Sequence, residues 1–322
     1  MHTNPAGLPD DFGPGWYAIL SSQEIPRGKP MAIQRFELDL VVVRHSSGIS
    51  IFPDRCPHRG IKLSVGHMSD DCLECAFHGF RFDAAGQCVR IPVQGQGSVI
   101  PQALHLKTFP VREAHGYVFL WWGEVPQTLP PIDWFDAELD GCHGPYERWT
   151  DSTVGLSRNI ENQLDSAHLP FVHARSIGRF VKSVEMDLEA IVENNRIRLF
   201  RRKHPETYVE MRLPNLWINR IGTRSYVTLA FAPINRHRTR VYTRYYQGSF
   251  HVPIVRQLWG WLMGWSNQWI LREDLRVIEH HDTPVSPALD GSELLLACDI
   301  AVIRYRQLRQ AWQSHSVLHH KN

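Results

Sequence analysis

The chain lacks an uninterrupted apolar run long enough to cross a bilayer. Its longest candidate, VPIVRQLWGWLMGWSNQWIL from Val252, is broken by Arg256, Gln257, Ser266, Asn267 and Gln268, whereas a spanning helix needs about 20 predominantly apolar residues. A buried or interfacial helix is the reading, with contact at a membrane surface as the lesser alternative. An excess of one charge is missing too: 35 Lys and Arg stand against 33 Asp and Glu, so no overall field argues for nucleic acid. Cysteine is scarce, with six in 322 residues. The opening MHTNPAGLPDDFGPGW has neither a basic start nor an apolar core, so no signal peptide and a cytoplasmic location are expected. In that setting thiols are reduced or bind metal rather than forming disulfides. No internal repeat or low-complexity tract occurs.

What is present divides into two parts. Residues 1–124 read as a small all-β domain: WYAIL, LDLVVVR, ISIF and GYVFLWW are rich in β-branched and aromatic residues and are separated by Gly, Pro and Asp. GEVPQTLPPIDWF, with three prolines, is the linker. Residues 125–322 mix periods. SRNIENQLDSAHL reads as a helix; VEMDLEAIV, RIRLFRRK, TYVEMRL, SYVTLAFAPI and TRVYTRYYQ read as an antiparallel sheet; two helices follow, over about 252–281 and 293–313. In the last, Ile300, Ile303, Leu308 and Trp312 are expected to face inward and Arg304, Arg306 and Arg309 to face solvent. Strands and helices without regular alternation make the fold class α+β.

The first constellation lies in DRCPHRGIKLSVGHMSDDCLECAFHGFRFD, residues 54–83. Structural zinc sites commonly use one ligand type per arm, as Cys-x2-4-Cys or His-x3-5-His. Here each arm is mixed: Cys56-Pro-His58, sixteen intervening residues, then Cys75-Ala-Phe-His78. Mixed arms suit two adjacent metal atoms, one held by thiolates and the other by imidazoles, as in a two-iron, two-sulfide centre of the Rieske kind. Gly60 and Gly79 follow the ligands and permit close backbone approach. Cys72 and Cys75 offer a Cys-x2-Cys zinc half-site without a matching second half; Cys88, Cys142 and Cys298 read as core residues.

Residues 54–83 resemble the Rieske domain of Rieske non-haem iron oxygenases. The extra cysteine pair of respiratory Rieske proteins is absent, since Ile61 follows Gly60, and this favours the oxygenase branch. The resemblance covers the chain from about Gly15 to the last helix. It is greatest to the homotrimeric branch, that of dicamba monooxygenase, vanillate demethylase and pheophorbide oxygenase. It implies a [2Fe–2S] domain over 1–124 and a catalytic mononuclear iron domain over 125–322 with a helix-grip, START-like sheet. Monooxygenation (hydroxylation or dealkylation) is the expected chemistry over cis-dihydroxylation.

A cluster alone only carries electrons, and NIENQLDSAHLPFVH supplies a second constellation. Asp165, His168 and His173 follow the spacing D-x2-H-x4-H. Residues three apart share a helix face, while five residues turn a helix by about 500°, so a straight helix could not aim both histidines at one ion. Pro170 is therefore expected to break the helix between them. Two histidines and one carboxylate with open positions form the facial triad of non-haem Fe(II) oxygenases. LREDLRVIEHHDTP resembles the family's distal segment, and only that resemblance selects Asp274 as the carboxylate over Glu273, Glu279 and Asp282; His280 and His281 read as an exposed helix end. In the family, the counterpart of Asp165 joins a cluster histidine of one subunit to an iron histidine of the next within a head-to-tail homotrimer.

No G-x-G-x-x-G lies between a strand and a helix, so electrons from NAD(P)H are expected through a separate reductase or ferredoxin. FRRKH and the C-terminal arginines are candidate docking charges for it. Dioxygen and a small organic molecule are the expected substrates; Phe171, Phe180, Trp217 and Tyr226 suit an apolar one, or else pack the core. Two rival readings stand beside this one. One is a Rieske electron-transfer protein with a non-catalytic ligand-binding domain. The other is a zinc-stabilised module in which RHRTRVYTRYYQ forms a nucleic-acid surface, although alternation along a strand explains that segment more simply.

Overall fold

The computed structural model describes residues 12–95, 97, 99–181, 187–221, 224–250 and 252–318. The chain forms two compact units: 16–128, and 129–322 together with the residues up to Gly15. The N-terminal stretch joins the second unit because the Trp312 indole lies against Gly13 and donates from Nε1 to Pro14 O at 3.1 Å.

The first unit is built from β1 (Gly15–Ser21), β2 (Met31–Arg35), β3 (Leu38–His45), β4 (Gly48–Pro53), β5 (His67–Ser69), β6 (Cys72–Glu74), β7 (Arg81–Phe82), β8 (Cys88–Arg90), β9 (Val111–Ala114) and β10 (Tyr117–Trp122). They make three small sheets in the orders β1-β10-β9, β2-β3-β4 and β5-β6-β7-β8. The apolar runs of β1 and β10 are buried along their whole length. A separate core of Val41, Phe52, Leu63, Leu73, Phe80 and Phe82 also contains Cys56 and Cys75. This all-β unit is what the sequence led us to expect, with the short strands β5 to β8 added.

In the second unit, α1 (Asp136–Leu139) precedes β11 (His143–Ser152), α2 (Leu156–Leu164) and α3 (Leu169–Val172). Then come β12 (Leu188–Glu193), β13 (Arg196–Arg201), β14 (His204–Arg212), β15 (Leu216–Arg220), β16 (Ser225–Asn235) and β17 (Arg238–Gln247), followed by α4 (Pro253–Ile278) and α5 (Ile300–Leu318). Seven antiparallel strands run β11-β17-β16-β15-β14-β13-β12. α4 lies on β11 and β17, α5 on β12 and β13, and α2 touches both helices and the middle strands. The fold is α+β, as expected. β11 escaped sequence reading because HGPYERWTDS carries Gly, Pro, three charged residues and three hydroxyls.

Cross-strand ion pairs set the register of this sheet. Arg244 lies directly opposite Glu147 and Arg240 opposite Asp151 on β17 and β11, and Arg198 opposite Glu210 on β13 and β14. All three are bonded, at 2.5, 2.7 and 2.6 Å. A one-residue slip would set each of these arginines against the wrong face. In the segment RHRTRVYTRYYQ, Arg236, His237 and Arg238 are exposed and Arg240 is half-buried, while every other residue is buried, so its aromatic residues form no nucleic-acid surface.

The last helix corrects two expectations. It starts at Ile300, not near 293. Its inward face is Ala301, Val302, Tyr305, Arg306 and Arg309, while Arg304 alone of the three expected arginines is exposed. Burial is tolerated because each guanidinium has partners: Arg306 forks onto Glu161 at 2.7 and 3.0 Å and reaches Glu293 at 2.5 Å, and Arg309 donates from Nη2 to the carbonyls of Ser286 and Pro287. Those two arginines are therefore unavailable for docking. Cys298 is exposed and Cys142 half-buried, so only Cys88 of the three is a core residue. Part of VEMDLEAIV lies outside the described residues.

Candidate metal centres

The first site is made by two loops with one backbone plan. After β4, Cys56 N–H donates to Ile61 O at 2.8 Å and Gly60 N–H to Cys56 O at 2.9 Å; after β6, Cys75 N–H donates to Phe80 O at 2.9 Å and Gly79 N–H to Cys75 O at 3.0 Å. Gly60 and Gly79 close the loops at φ +75° and +69°, where a side chain would be strained. Asp54 braces the first loop by accepting from Ser64 N–H and Oγ at 2.7 and 2.6 Å. Two thiols thus sit in the core, while the His58 and His78 rings lie 4.8 Å apart toward the surface, His58 stacked on Phe80.

This donor set fits a two-metal cluster. Burial and the neighbouring Cys75 push the Cys56 thiol up to about 11; a thiol raised in this way resists ionisation unless a cation takes the place of its proton. The imidazole side faces outward and the thiol side inward, which is the polarity a Rieske centre needs to exchange electrons at its histidine edge. Cys72 is half-buried on β6, apart from this arrangement, and adds no second zinc arm.

The second site lies at the end of α2, around α3 and on α4. The sequence expectation of a helix through Asp165 and His168 is corrected: α2 ends at Leu164 and Asp165 is extended, at φ −85° and ψ 117°. Pro170 does not break the helix. It sits in the first turn of α3, where a missing N–H costs nothing, and the break lies upstream. His168 and His173 therefore bracket one short turn. Gly178 locks it from behind, because a Cβ there would meet Leu169 O at 2.2 Å.

The result is convergence. His173 Nε2 and His168 Nε2 stand 2.9 and 3.3 Å from Asp274 Oδ1, and one ligand atom from each residue falls within 4.8 Å of the others. Of the four carboxylates, Asp274 is the one whose oxygen meets Nε2 of both histidines; Glu273 approaches His173 from its Nδ1 side, and Glu279 accepts from Thr153 N–H. His280 and His281 are exposed beyond the helix end, as expected.

The surroundings orient each group. Gln163 donates to Asp274 Oδ2 at 3.1 Å and is itself held by Trp217 Nε1, which donates to Gln163 O at 3.1 Å. His173 Nδ1 bonds Glu273 Oε2 at 2.8 Å, and Ser176 Oγ donates to the same oxygen at 2.5 Å. His168 Nδ1 has a looser partner, Asp165 Oδ2 at 3.4 Å, while Asp165 Oδ1 accepts from Ala167 N–H at 2.7 Å. Each Nδ1 is turned toward an outer carboxylate, so both Nε2 atoms and Asp274 Oδ1 face one another; that buried oxygen makes no hydrogen bond, and neither does His168 Nδ1. Three electron-pair donors turned on one point fit a divalent cation. Protons compete for the place: burial opposes charge on His168, but Asp165 and Asp274 outweigh it and lift the imidazolium to about 9; burial likewise opposes a charged Asp274, yet the two histidines draw it down to about 2.

Sequence reading missed Glu273 as an orienting group, and Gln163 and Ser176 altogether. Adjacent carboxylates on α4 were the available signal, since neighbouring helical positions point to different partners. Of the aromatics suggested for a substrate, Trp217 and Tyr226 are buried and Phe171 is exposed; the Phe180 side chain lies outside the described set.

A Rieske [2Fe-2S] domain model matches residues 15–110, and a vanillate O-demethylase oxygenase C-terminal domain model matches 154–314, half of the chain. The chain belongs to the Rieske non-haem iron oxygenases, oxidoreductases that pair such a cluster with a mononuclear iron. Among relatives, it is 30% identical over 176 residues to chloroplastic protein TIC 55 of Pisum sativum, spanning 52% of this chain and 30% of that one. It is 32% identical over 176 residues to aminopyrrolnitrin oxygenase PrnD of Pseudomonas fluorescens, spanning 51% and 47%. The match thus extends over less than half the length of these relatives. In fold it is similar to dicamba monooxygenase, with TM-score 0.75, 20% identity, and coverage of 94% of this chain and 98% of that one. No helix among the described residues is long and apolar enough to cross a membrane.

Proposed function

We propose that the chain is the oxygenase component of a multi-protein system that uses dioxygen and externally supplied electrons to hydroxylate or dealkylate a small organic molecule. The observation that carries this is the convergence of His168, His173 and Asp274 on one point in a chain that also holds two Cys–His loops. In this reading Cys56, His58, Cys75 and His78 hold the [2Fe–2S] cluster, and His168, His173 and Asp274 hold the iron. When bound, the cluster supplies single electrons and the iron supplies a place to reduce dioxygen beside the substrate.

The protein's own groups then have defined tasks. Glu273 holds Nδ1 of His173 by a hydrogen bond, and the Asp165 carboxylate stands beside Nδ1 of His168, so that Nε2 of each ring is presented to the metal. Gln163 holds one Asp274 oxygen so that the other faces the histidines. Asp165 keeps 29% of its side chain exposed, which leaves its carboxylate accessible to an imidazole of a neighbouring chain. That is the basis for a homotrimer in which Asp165 bridges subunits. Monooxygenation over cis-dihydroxylation, dioxygenase chemistry being the other branch, draws on the vanillate O-demethylase model and the monooxygenase fold relative. Electrons from NAD(P)H would arrive through a reductase or ferredoxin.

Metal analysis with absorption spectroscopy tests the assignment. Iron for both a cluster and a mononuclear site, the latter lost selectively in Asp274→Ala with the cluster spectrum intact, is expected. Iron at the cluster alone in the wild type, with no oxygen uptake under a surrogate reductase, would leave an electron-transfer protein.

A further inference from the structure

The longest helix, α4, is apolar on two opposite sides. One side is seated on the sheet. Gly260 lies so close to Tyr146 that a Cβ would come within 2.0 Å of its ring, and Tyr146 Oη donates to Arg256 O at 3.1 Å. The other side is open. Ile254, Leu258, Trp261, Leu262, Trp265 and Trp269 recur at helical spacing and are all at least half exposed, from 50% at Leu262 to 73% at Ile254. Trp265 and Trp269 stack on each other at 6.3 Å between ring centres.

The charge on this helix has one sign outward. Arg272 and Arg276 are exposed and Arg256 is half-buried. The two carboxylates of the helix are turned away from solvent: Glu273 is bonded to His173 and Ser176, and Asp274 is buried at the metal centre. Glu279, just past the helix end, is bonded to Thr153 N–H.

We propose that the outer face of α4 docks on an anionic phospholipid bilayer, with the helix lying in the headgroup plane. Tryptophan and leucine on one stripe with arginine beside them is the composition of an interfacial helix, and tryptophan favours that depth because its ring is apolar and its N–H is polar. At about 1.5 Å per residue the helix runs roughly 39 Å along the surface, enough to seat all six side chains at once. A second copy meeting this stripe about a two-fold axis would bring exposed arginines of like charge together, whereas phosphate headgroups neutralise them. The interrupted sequence and the seated inner face both hold the helix on the bilayer and not through it.

Vesicle flotation of the intact holoprotein tests this, using phosphatidylcholine vesicles with and without phosphatidylglycerol. The wild type is expected to float with the anionic vesicles, with a blue shift of tryptophan emission. Trp261→Ser/Trp265→Ser is expected to lower partitioning by about tenfold or more. Arg272→Gln/Arg276→Gln is expected to abolish the preference for anionic lipid, which should also weaken with salt. The visible spectrum of the cluster and near-ultraviolet circular dichroism report folding in both variants. Absence of wild-type flotation with either vesicle overturns the proposal, as does undiminished flotation of the tryptophan variant. A lower solution mass for that variant, with the wild type remaining off vesicles, would assign the face to contact between copies.

Discussion

Glu273 is the residue whose replacement best separates metal binding from metal chemistry. Its Oε2 accepts from His173 Nδ1 at 2.8 Å and from Ser176 Oγ at 2.5 Å, and the His173 side chain is only 1% exposed. Water cannot stand in for the carboxylate there. A hydrogen bond to a charged group contributes about 1.5–3 kcal/mol, and loss of a carboxylate behind a metal-bound histidine lowers metal affinity about 10–100-fold. Glu273→Gln keeps an acceptor but removes the charge, so about tenfold is expected, or about 1.4 kcal/mol; Glu273→Ala removes both, so about 100-fold is expected, or about 2.7 kcal/mol. Asp165 provides the internal comparison. It stands 3.4 Å from His168 Nδ1, a weaker contact, so Asp165→Asn should cost less than tenfold in affinity while slowing electron arrival at the iron. Titration of the iron-depleted protein with Co(II), followed by its visible bands, reads affinity without turnover. Equal affinity in Glu273→Ala and wild type, or a larger loss in Asp165→Asn than in Glu273→Ala, would refute the orienting role.

Four further outcomes follow from the same geometry. Gly178→Ala should destabilise the second unit by about 1–3 kcal/mol and weaken Co(II) binding, because its Cβ meets Leu169 O at 2.2 Å, behind the turn between the histidines; an unchanged Tm would contradict it. Arg306→Met removes the fork on Glu161 and should cost about 3 kcal/mol in chemical denaturation, with Arg306→Met/Glu161→Gln recovering part of it. Burial opposes a charged Glu293, but Arg158 and Arg306 outweigh it and draw its carboxyl down to about 2 from the ordinary 4.5. The folded state then binds fewer protons than the unfolded one, so this contribution is complete above about 4.5 and is lost as pH falls toward 2; urea midpoints should decline through that window, and less so in Glu293→Gln. Chelation of iron followed by reloading at successive pH values should show tighter binding as pH rises toward 9, since the proton on His168 competes with the metal.

The two halves of the metal chemistry were unequally legible. Each Cys–His arm is a loop of five or six residues whose closing bonds run from Cys56 to Gly60 and from Cys75 to Gly79, so spacing in sequence is nearly spacing in space. Asp274 meets His173 across 101 positions, by way of a seven-stranded sheet and the seating of α4; no local pattern encodes that distance, and resemblance alone selected it. The same physics explains the misread last helix. An arginine is solvated by default, and what reverses the default for Arg306 is a pair of carboxylates, Glu161 and Glu293, contributed by segments far away or outside the helix. Glu161 is also bonded by Ser286 and lies beside Arg158 on α2, the helix that carries Gln163 to Asp274. Burying Arg158, Glu161 and Arg306, with Glu293 at their edge, is costly, and a hydrophobic substitute would serve stability as well; what the network adds is a fixed azimuth for α2. Because Gln163 reaches the metal-facing carboxylate from that helix, a rotation of α2 would move Asp274 Oδ2 first, and the buried ion pairs oppose that rotation.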